Sequence, residues 1–282
     1  MFGFLNVYKP KGITSHDVIS RLRRVFNIKQ IGHAGTLDPF AQGVLPVAVG
    51  KATRLLEYLS DDKGYVATVK FGQTTDTYDV EGEVVSTSDI KVTQEMVEGV
   101  LSDFQGEIEQ IPPIYSAIKV DGKKLYEYAR AGQEVEVKSR KVTVYEISLV
   151  SFDYDNQVAE IYCKCSKGTY IRTIGYDIGQ KLGCGAHLIE LKRVLSANFD
   201  IDDAIFLDDI THDTPLVSPK NVLPIKQLEL NDIEFERVSH GMTIYNNGRF
   251  SEGEVVGLLY KGDFVGVAQV VETKLKIKKF VG

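Results

Sequence analysis

Tryptophan is absent from this chain, and cysteine and methionine occur only three times each among 282 residues. Three cysteines cannot build a disulfide framework. Cys163 and Cys165 are separated by one residue, so in a strand they share a face and cannot clamp a metal as a Cys-x-x-Cys pair does. Cys184 has no partner nearby, and all three read as small, reduced core residues, with no zinc site implied. No stretch approaches the ~20 uninterrupted apolar residues of a membrane helix. The start, from Met1 to Tyr8, reads as a strand and lacks the basic leader and apolar core of a secretion signal, so the expected compartment is the cytoplasm. A nucleotide-triphosphate loop is missing too. The segment from Gly43 to Lys51 ends in Gly-Lys, but the spacing of its glycines is wrong and Ala52 occupies the hydroxyl position.

What remains is long enough for one large domain and a small one. The composition, 43% hydrophobic and 26% charged, is that of a globular chain. The formal net charge of −6 argues at first against a nucleic-acid partner. Its distribution argues the other way. Residues 1–60 carry a local balance of +5 and residues 164–193 one of +4, whereas residues 200–236 carry −8. Basic segments opposed by an acidic one fit a molecule with one RNA-facing side.

Thr14 and Ser15 precede a helical pattern with Val18, Ile19, Leu22, Val25 and Phe26 on one face, and Asp17 completes a variant capping box with Thr14. Residues 51–59 read as a second helix, residues 65–71 and 82–87 as strands, and residues 94–101 as a helix. A short helix is expected at 126–131. Long strands over 135–152 and 157–165 are joined by an Asp153-Tyr154-Asp155-Asn156 turn, and a helix over 170–182 is stopped by Gly183. Strands outnumber helices and hairpin turns recur, which favours an α+β fold around a mostly antiparallel mixed sheet. A boundary falls in the polar stretch from Asp200 to Pro224. It separates an expected main domain, residues 1–215, from a short strand-rich module, residues 223–282.

The most specific segment is Gly32-His33-Ala34-Gly35-Thr36-Leu37-Asp38-Pro39. Proline disfavours helical geometry in the residue before it, so Asp38 should sit in extended backbone. Glycines on either side of His33 permit turns, and the apolar run from Gly43 to Gly50 reads as a buried strand. A carboxylate held by a stiff loop against a hydrophobic scaffold is a way to present a reactive group.

This loop, extended through Phe40-Ala41-Gln42-Gly43-Val44-Leu45-Pro46, resembles the signature of the bacterial tRNA pseudouridine synthase B (TruB) family. Lys9-Pro10-Lys11-Gly12-Ile13-Thr14-Ser15 resembles that family's N-terminal motif, and Ile111-Pro112-Pro113-Ile114-Tyr115-Ser116-Ala117-Ile118-Lys119 its central one. Cys165-Ser166-Lys167-Gly168-Thr169-Tyr170-Ile171-Arg172-Thr173 resembles its arginine motif, and residues 183–188 follow in the family's order. The resemblance implies a pseudouridine synthase catalytic fold. It also implies a tRNA partner engaged at the T-stem and T-loop, isomerisation of uridine 55, no cofactor and no metal, and a monomeric enzyme. The terminal module resembles the small PUA-like β-barrels that end many such synthases.

By the same resemblance Asp38 is the essential carboxylate. It is open to attack at C6, attack at C1′ or proton abstraction from the sugar. Arg172 is its partner and would hold it ionised through charge-assisted hydrogen bonds. Tyr65 is implied as the residue that stacks on the flipped uracil, with its hydroxyl placed to relay the C5 proton. Tyr170 and Leu191 are implied pocket walls, His33 a stacking residue within the remodelled RNA loop, and Arg54 and Lys119 phosphate contacts. Two other readings are a guide-RNA-dependent relative and a catalytically silent RNA-binding protein. The first would suit a chain with a long basic tail, and the second one without the Asp38, Tyr65 and Arg172 set. A glycoside hydrolase would require two opposed carboxylates, and the motif set offers one.

Overall fold

The structure, a computed structural model, describes every residue except Met1, Ala117 and Glu134, together with all side chains but those of Tyr126 and Arg130. The chain divides into two compact units. One comprises Met1–Leu37, Val44–Ser60 and Ala197–Gly282, and the other Asp38–Gly43 and Asp61–Ser196.

In the second unit, strands Ala186–Ser196, Lys63–Phe71, Val158–Cys165, Arg140–Asp153 and Gly106–Gln110 lie side by side in that order. Each is antiparallel to its neighbour. A parallel contact of Lys192 and Arg193 with Gln42 and Gly43 makes the arrangement mixed. The strand Val158–Cys165 alternates buried and half-buried residues, as a period of two requires with one face against a helix. That helix, Ile171–Lys181, buries Ile171, Ile174 and Ile178. Ala67, Val69, Ile161 and Cys163 of the strands lie across from it. Gly175 allows the close approach, since a Cβ there would fall 2.2 Å from Leu188 Cδ1. The three cysteines are all buried.

In the first unit, the capping box forms as the sequence predicts. Thr14 caps the helix Ser15–Phe26, and Asp17 answers it with 2.8 Å and 2.6 Å hydrogen bonds from the Thr14 amide and hydroxyl. Strand Gly3–Lys9 runs beside Gln42–Val49 and is parallel to Ile205–Phe206. Residues 51–59 do not form the expected α-helix. Gly50–Tyr58 winds as a 3-10 helix, and burial of Ala52 and Leu55 at a spacing of three matches that tighter repeat. Strand 135–152 also starts later than expected, at Arg140, and the strand Ala186–Ser196 was not foreseen.

Residues beyond Lys226 build a separate sheet in the order Lys226–Glu229, Val255–Tyr260, Asp263–Val271, Lys274–Phe280, Ile244–Tyr245. Its core contains Leu228, Val256, Leu258, Ala268 and Leu275. Phe264, Val267 and Val281 instead join Phe4, Val44, Ala52 and Leu55 in a shared hydrophobic cluster. Among the described residues no helix is long and apolar enough to cross a membrane.

Candidate active site

Asp38 follows a loop in which Gly35 takes φ +76°, a conformation that suits glycine, while Gly32 keeps ordinary strand geometry. Asp38 itself lies outside any helix, and its carbonyl accepts from the Ala41 amide at 3.1 Å. Its side chain is 39% exposed, which leaves the carboxylate reachable from solvent.

The Arg172 side chain is the opposite case, only 5% exposed. It enters from the first turn of the Ile171–Lys181 helix. Nε donates to Asp38 Oδ2 at 3.0 Å, and Nη1 meets Asp79 Oδ2 at 3.3 Å. Nη1 also donates to the Thr77 carbonyl at 3.2 Å and Nη2 to the Tyr115 carbonyl at 3.0 Å. The guanidinium is thus held from several sides in one plane of donors, so its position does not depend on Asp38 alone.

Asp79 is the residue that sequence reasoning missed. Its side chain is 4% exposed, and Oδ1 accepts from Thr77 Oγ1 at 2.6 Å and from the Glu81 amide at 3.0 Å. A buried carboxylate pairs with a buried guanidinium, and together they carry a half-exposed carboxylate outward. The segment Ile111–Tyr115 explains its own place in the motif set through its contact with the same helix start. Besides the Tyr115 carbonyl on Arg172, the buried Gln110 side chain brackets Tyr170. It accepts from the Tyr170 amide at 2.7 Å and donates to the Tyr170 carbonyl at 2.9 Å.

Tyr65 and Leu191 stand on adjacent strands, where Tyr65 pairs with Arg193 and Leu191 with Ala67. Residues two apart in a strand share a face, so Tyr65, Ala67, Leu191 and Arg193 face the same way. Tyr65 is buried, and burial pushes its hydroxyl up to about 12, with the nearby Asp38 charge adding to the rise. Arg193 opposes this through its charge and a hydrogen bond to the Tyr65 side chain. Arg193 is itself fully buried, and the sequence marked it only as one basic residue among several. Burial, with repulsion from Arg193, also lowers the Lys63 ammonium below its usual range.

The structure therefore brings Asp38, Tyr65 and Arg172 together, with Tyr170 capping the arginine helix and Leu191 in the neighbouring strand. Lys119 is exposed, on a short hairpin with Lys123 and Lys124. His33 and Arg54 belong to the other compact unit. His33 is half-buried in strand Ile31–His33, and Arg54 is exposed and donates to the Phe280 carbonyl at 3.2 Å.

Comparison with known proteins meets this geometry. Residues 23–171 match the model of the TruB family pseudouridylate synthase N-terminal domain. Residues 172–218 match that of the tRNA pseudouridylate synthase B C-terminal domain. The chain belongs to the TruB family of pseudouridylate synthases. Among its relatives, the tRNA pseudouridine synthase B of Vibrio atlanticus is 41% identical over 96% of this chain and 90% of its own length. That of Caldanaerobacter subterraneus is 42% identical over 98% of both. In solved structures, a chain of a Cbf5-Nop10-Gar1 complex is 27% identical with a TM-score of 0.75, covering 99% of this chain and 84% of that one. A chain of an H/ACA RNP bound to a substrate RNA containing 2'-deoxyuridine matches over the same shares, with a TM-score of 0.75 and 25% identity. The fold is accordingly the α+β pseudouridine synthase fold with a PUA-like terminal sheet. Membership makes the chain an isomerase of uridine in RNA.

Proposed function

We propose that this enzyme isomerises uridine 55 in the T-loop of tRNA to pseudouridine, acting as a monomer in the cytoplasm, with Asp38 as the essential group. The observation that carries the reading is the 3.0 Å pair between a reachable Asp38 carboxylate and a buried Arg172, beside Tyr65. The near-identical naming of relatives over nearly the full chain supports tRNA as the substrate.

Pseudouridine formation breaks the N1–C1′ bond, turns the uracil and joins C5 to C1′. One proton leaves C5 and one arrives at N1, so the reaction balances without oxidant, reductant or imported group. Asp38 works at the flipped nucleotide, by attack at C6 or C1′ or by taking a sugar proton, and each path needs a free carboxylate oxygen on the substrate side. Arg172 orients that carboxylate through Oδ2. Tyr65 offers a ring for stacking and a hydroxyl for the C5 proton, while Tyr170 and Leu191 wall the base off from water. His33 stacks in the RNA loop, and Arg54 and Lys119 meet phosphates. Residues 1–215 carry the chemistry, and residues 223–282 add RNA contacts.

The test is Asp38→Asn, which keeps size and polarity but can act neither as nucleophile nor as base. Release of tritium from C5-labelled uridine in tRNA should vanish, while tRNA affinity stays near parental. Activity within tenfold of the parent would remove Asp38 from the mechanism. A transcript with cytidine at position 55 should accumulate no pseudouridine; product at another T-loop site would overturn the positional assignment.

A further inference from the structure

Tyr78 sits next to Asp79 with φ +63°, in the left-handed region that a bulky side chain seldom occupies. Its backbone is fixed there, since the amide donates to the Thr75 carbonyl at 3.3 Å and the carbonyl accepts from the Leu188 amide at 3.0 Å. The conformation sends the Tyr78 ring onto that of Tyr176, with centroids 4.0 Å apart and planes 20° from parallel. Tyr176 lies four residues after Arg172 on the same helix, hence on the same face one turn further along.

Two kinds of contact therefore join the turn around Asp79 to the arginine helix. Arg172 holds the turn through the buried ion pair with Asp79 and a 3.2 Å hydrogen bond to the Thr77 carbonyl, and the ring stack joins it one turn away. The Asp79 turn is also braced within itself and to a strand. Thr75 Oγ1 donates to the Asp79 carbonyl at 2.7 Å, Thr77 Oγ1 to Asp79 Oδ1 at 2.6 Å, and Asp79 bridges to Leu188. Contacts that all end on the one guanidinium anchor a point, and a second contact a turn away also fixes an orientation.

We propose that the Tyr78–Tyr176 stack is a positioning device for catalysis, locking the Asp79 turn to the Arg172 helix so that the guanidinium keeps Asp38 aimed at the substrate. The inference rests on the proposed role of Asp38. The strained backbone at Tyr78 is the cost of directing a ring where glycine could have turned without strain, and the stack is what that ring contacts. Neither tyrosine is given a role at the substrate, so both act as positioning residues.

The experiment uses the full chain and an unmodified tRNA transcript, and measures binding and single-turnover rate separately. Tyr176→Ala should slow the single-turnover rate by about ten- to a hundredfold, the scale of a misplacement of about 1 Å, with tRNA affinity changed less than about twofold. Tyr176→Phe keeps the stacking face and should restore the rate to within about twofold of the parent. Tyr78→Gly removes the ring but suits the backbone, so a loss of rate there comes from the missing stack rather than from strain. Because the stack acts through Asp79, adding Tyr176→Ala to Asp79→Asn should slow the reaction no further. Parental rates in folded Tyr176→Ala and Tyr78→Gly would overturn the inference, and so would losses that multiply with Asp79→Asn. If the alanine variant fails to fold, Tyr176→Leu replaces it, retaining apolar volume without a flat ring. Asp38→Asn is assayed alongside. An active Asp38→Asn enzyme removes the underlying site assignment, whereas a dead one with parental stack variants removes only the device.

Discussion

Replacing Arg172 by methionine should cost more stability than any other single change at this site, and the geometry sets the size. The guanidinium is 5% exposed and serves Asp38, Asp79 and the carbonyls of Thr77 and Tyr115. Without it the Asp79 carboxylate, 4% exposed, keeps its bonds from Thr77 and Glu81 but loses its cation. Breaking a buried pair by removing one partner costs about 3–5 kcal/mol, because the other charge stays behind. The two orphaned carbonyls add to this. In a chain of this size each kcal/mol lowers the melting temperature by about 2–4 °C, so a drop of about 10 °C is expected. Asp38→Asn should move it little, since its carboxylate is partly solvated and Arg172 would retain Asp79. The double replacement Arg172→Met with Asp79→Leu should recover much of the loss, as neither charge of the buried pair remains. Thermal and urea unfolding followed by one optical probe give the comparison. If Arg172→Met melts within about 2 °C of the parent, or the double variant is worse than the single, the ion-pair reasoning is wrong.

Tyr65→Phe should keep tRNA affinity and lose product formation, because the ring survives and the hydroxyl does not; Tyr65→Ala should also weaken binding by about 1–3 kcal/mol, the contribution of base–aromatic stacking. Full turnover by the phenylalanine variant in the tritium assay would confine Tyr65 to stacking. Asp177 gives a pH-dependent case: burial raises its pKa from 3.8 to about 6, so the folded chain binds that proton more tightly than the unfolded one. The penalty is absent below the unfolded value, grows between the two and is complete above about pH 6. Asp177→Asn should therefore stabilise the fold at pH 7.5 by about 1 kcal/mol after allowing for partial solvent screening, and should change nothing near pH 3.5. Urea midpoints at the two pH values check the sign, and an equal effect at both would refute it.

Much of this protein is local and was legible without tertiary structure. The capping box at Thr14 and Asp17 needs residues three apart, the helix Gln94–Leu101 follows its own periodicity, and the turn before strand Val158–Cys165 is written in Asp153 to Asn156. The motif residues Asp38, Tyr65 and Arg172 could be read in order along the chain, because each sits in or beside a run that resembles a motif of the family. Other features have no local signature. The spacing of residues 51–59 suited either helix type, and burial of Ala52 and Leu55 accompanies the 3-10 form. Asp79 looked like one acid in a polar stretch, and Arg193 like one base in a basic one. Their burial depends on partners supplied by other elements: Thr77, beside Asp79, is 95 residues from Arg172, and Arg193 meets Tyr65 across two strands. A charge is tolerated inside a protein only where distant chain segments bring it a partner. The sequence by itself determined which groups could react, and only the tertiary structure decided which charges hold them in place.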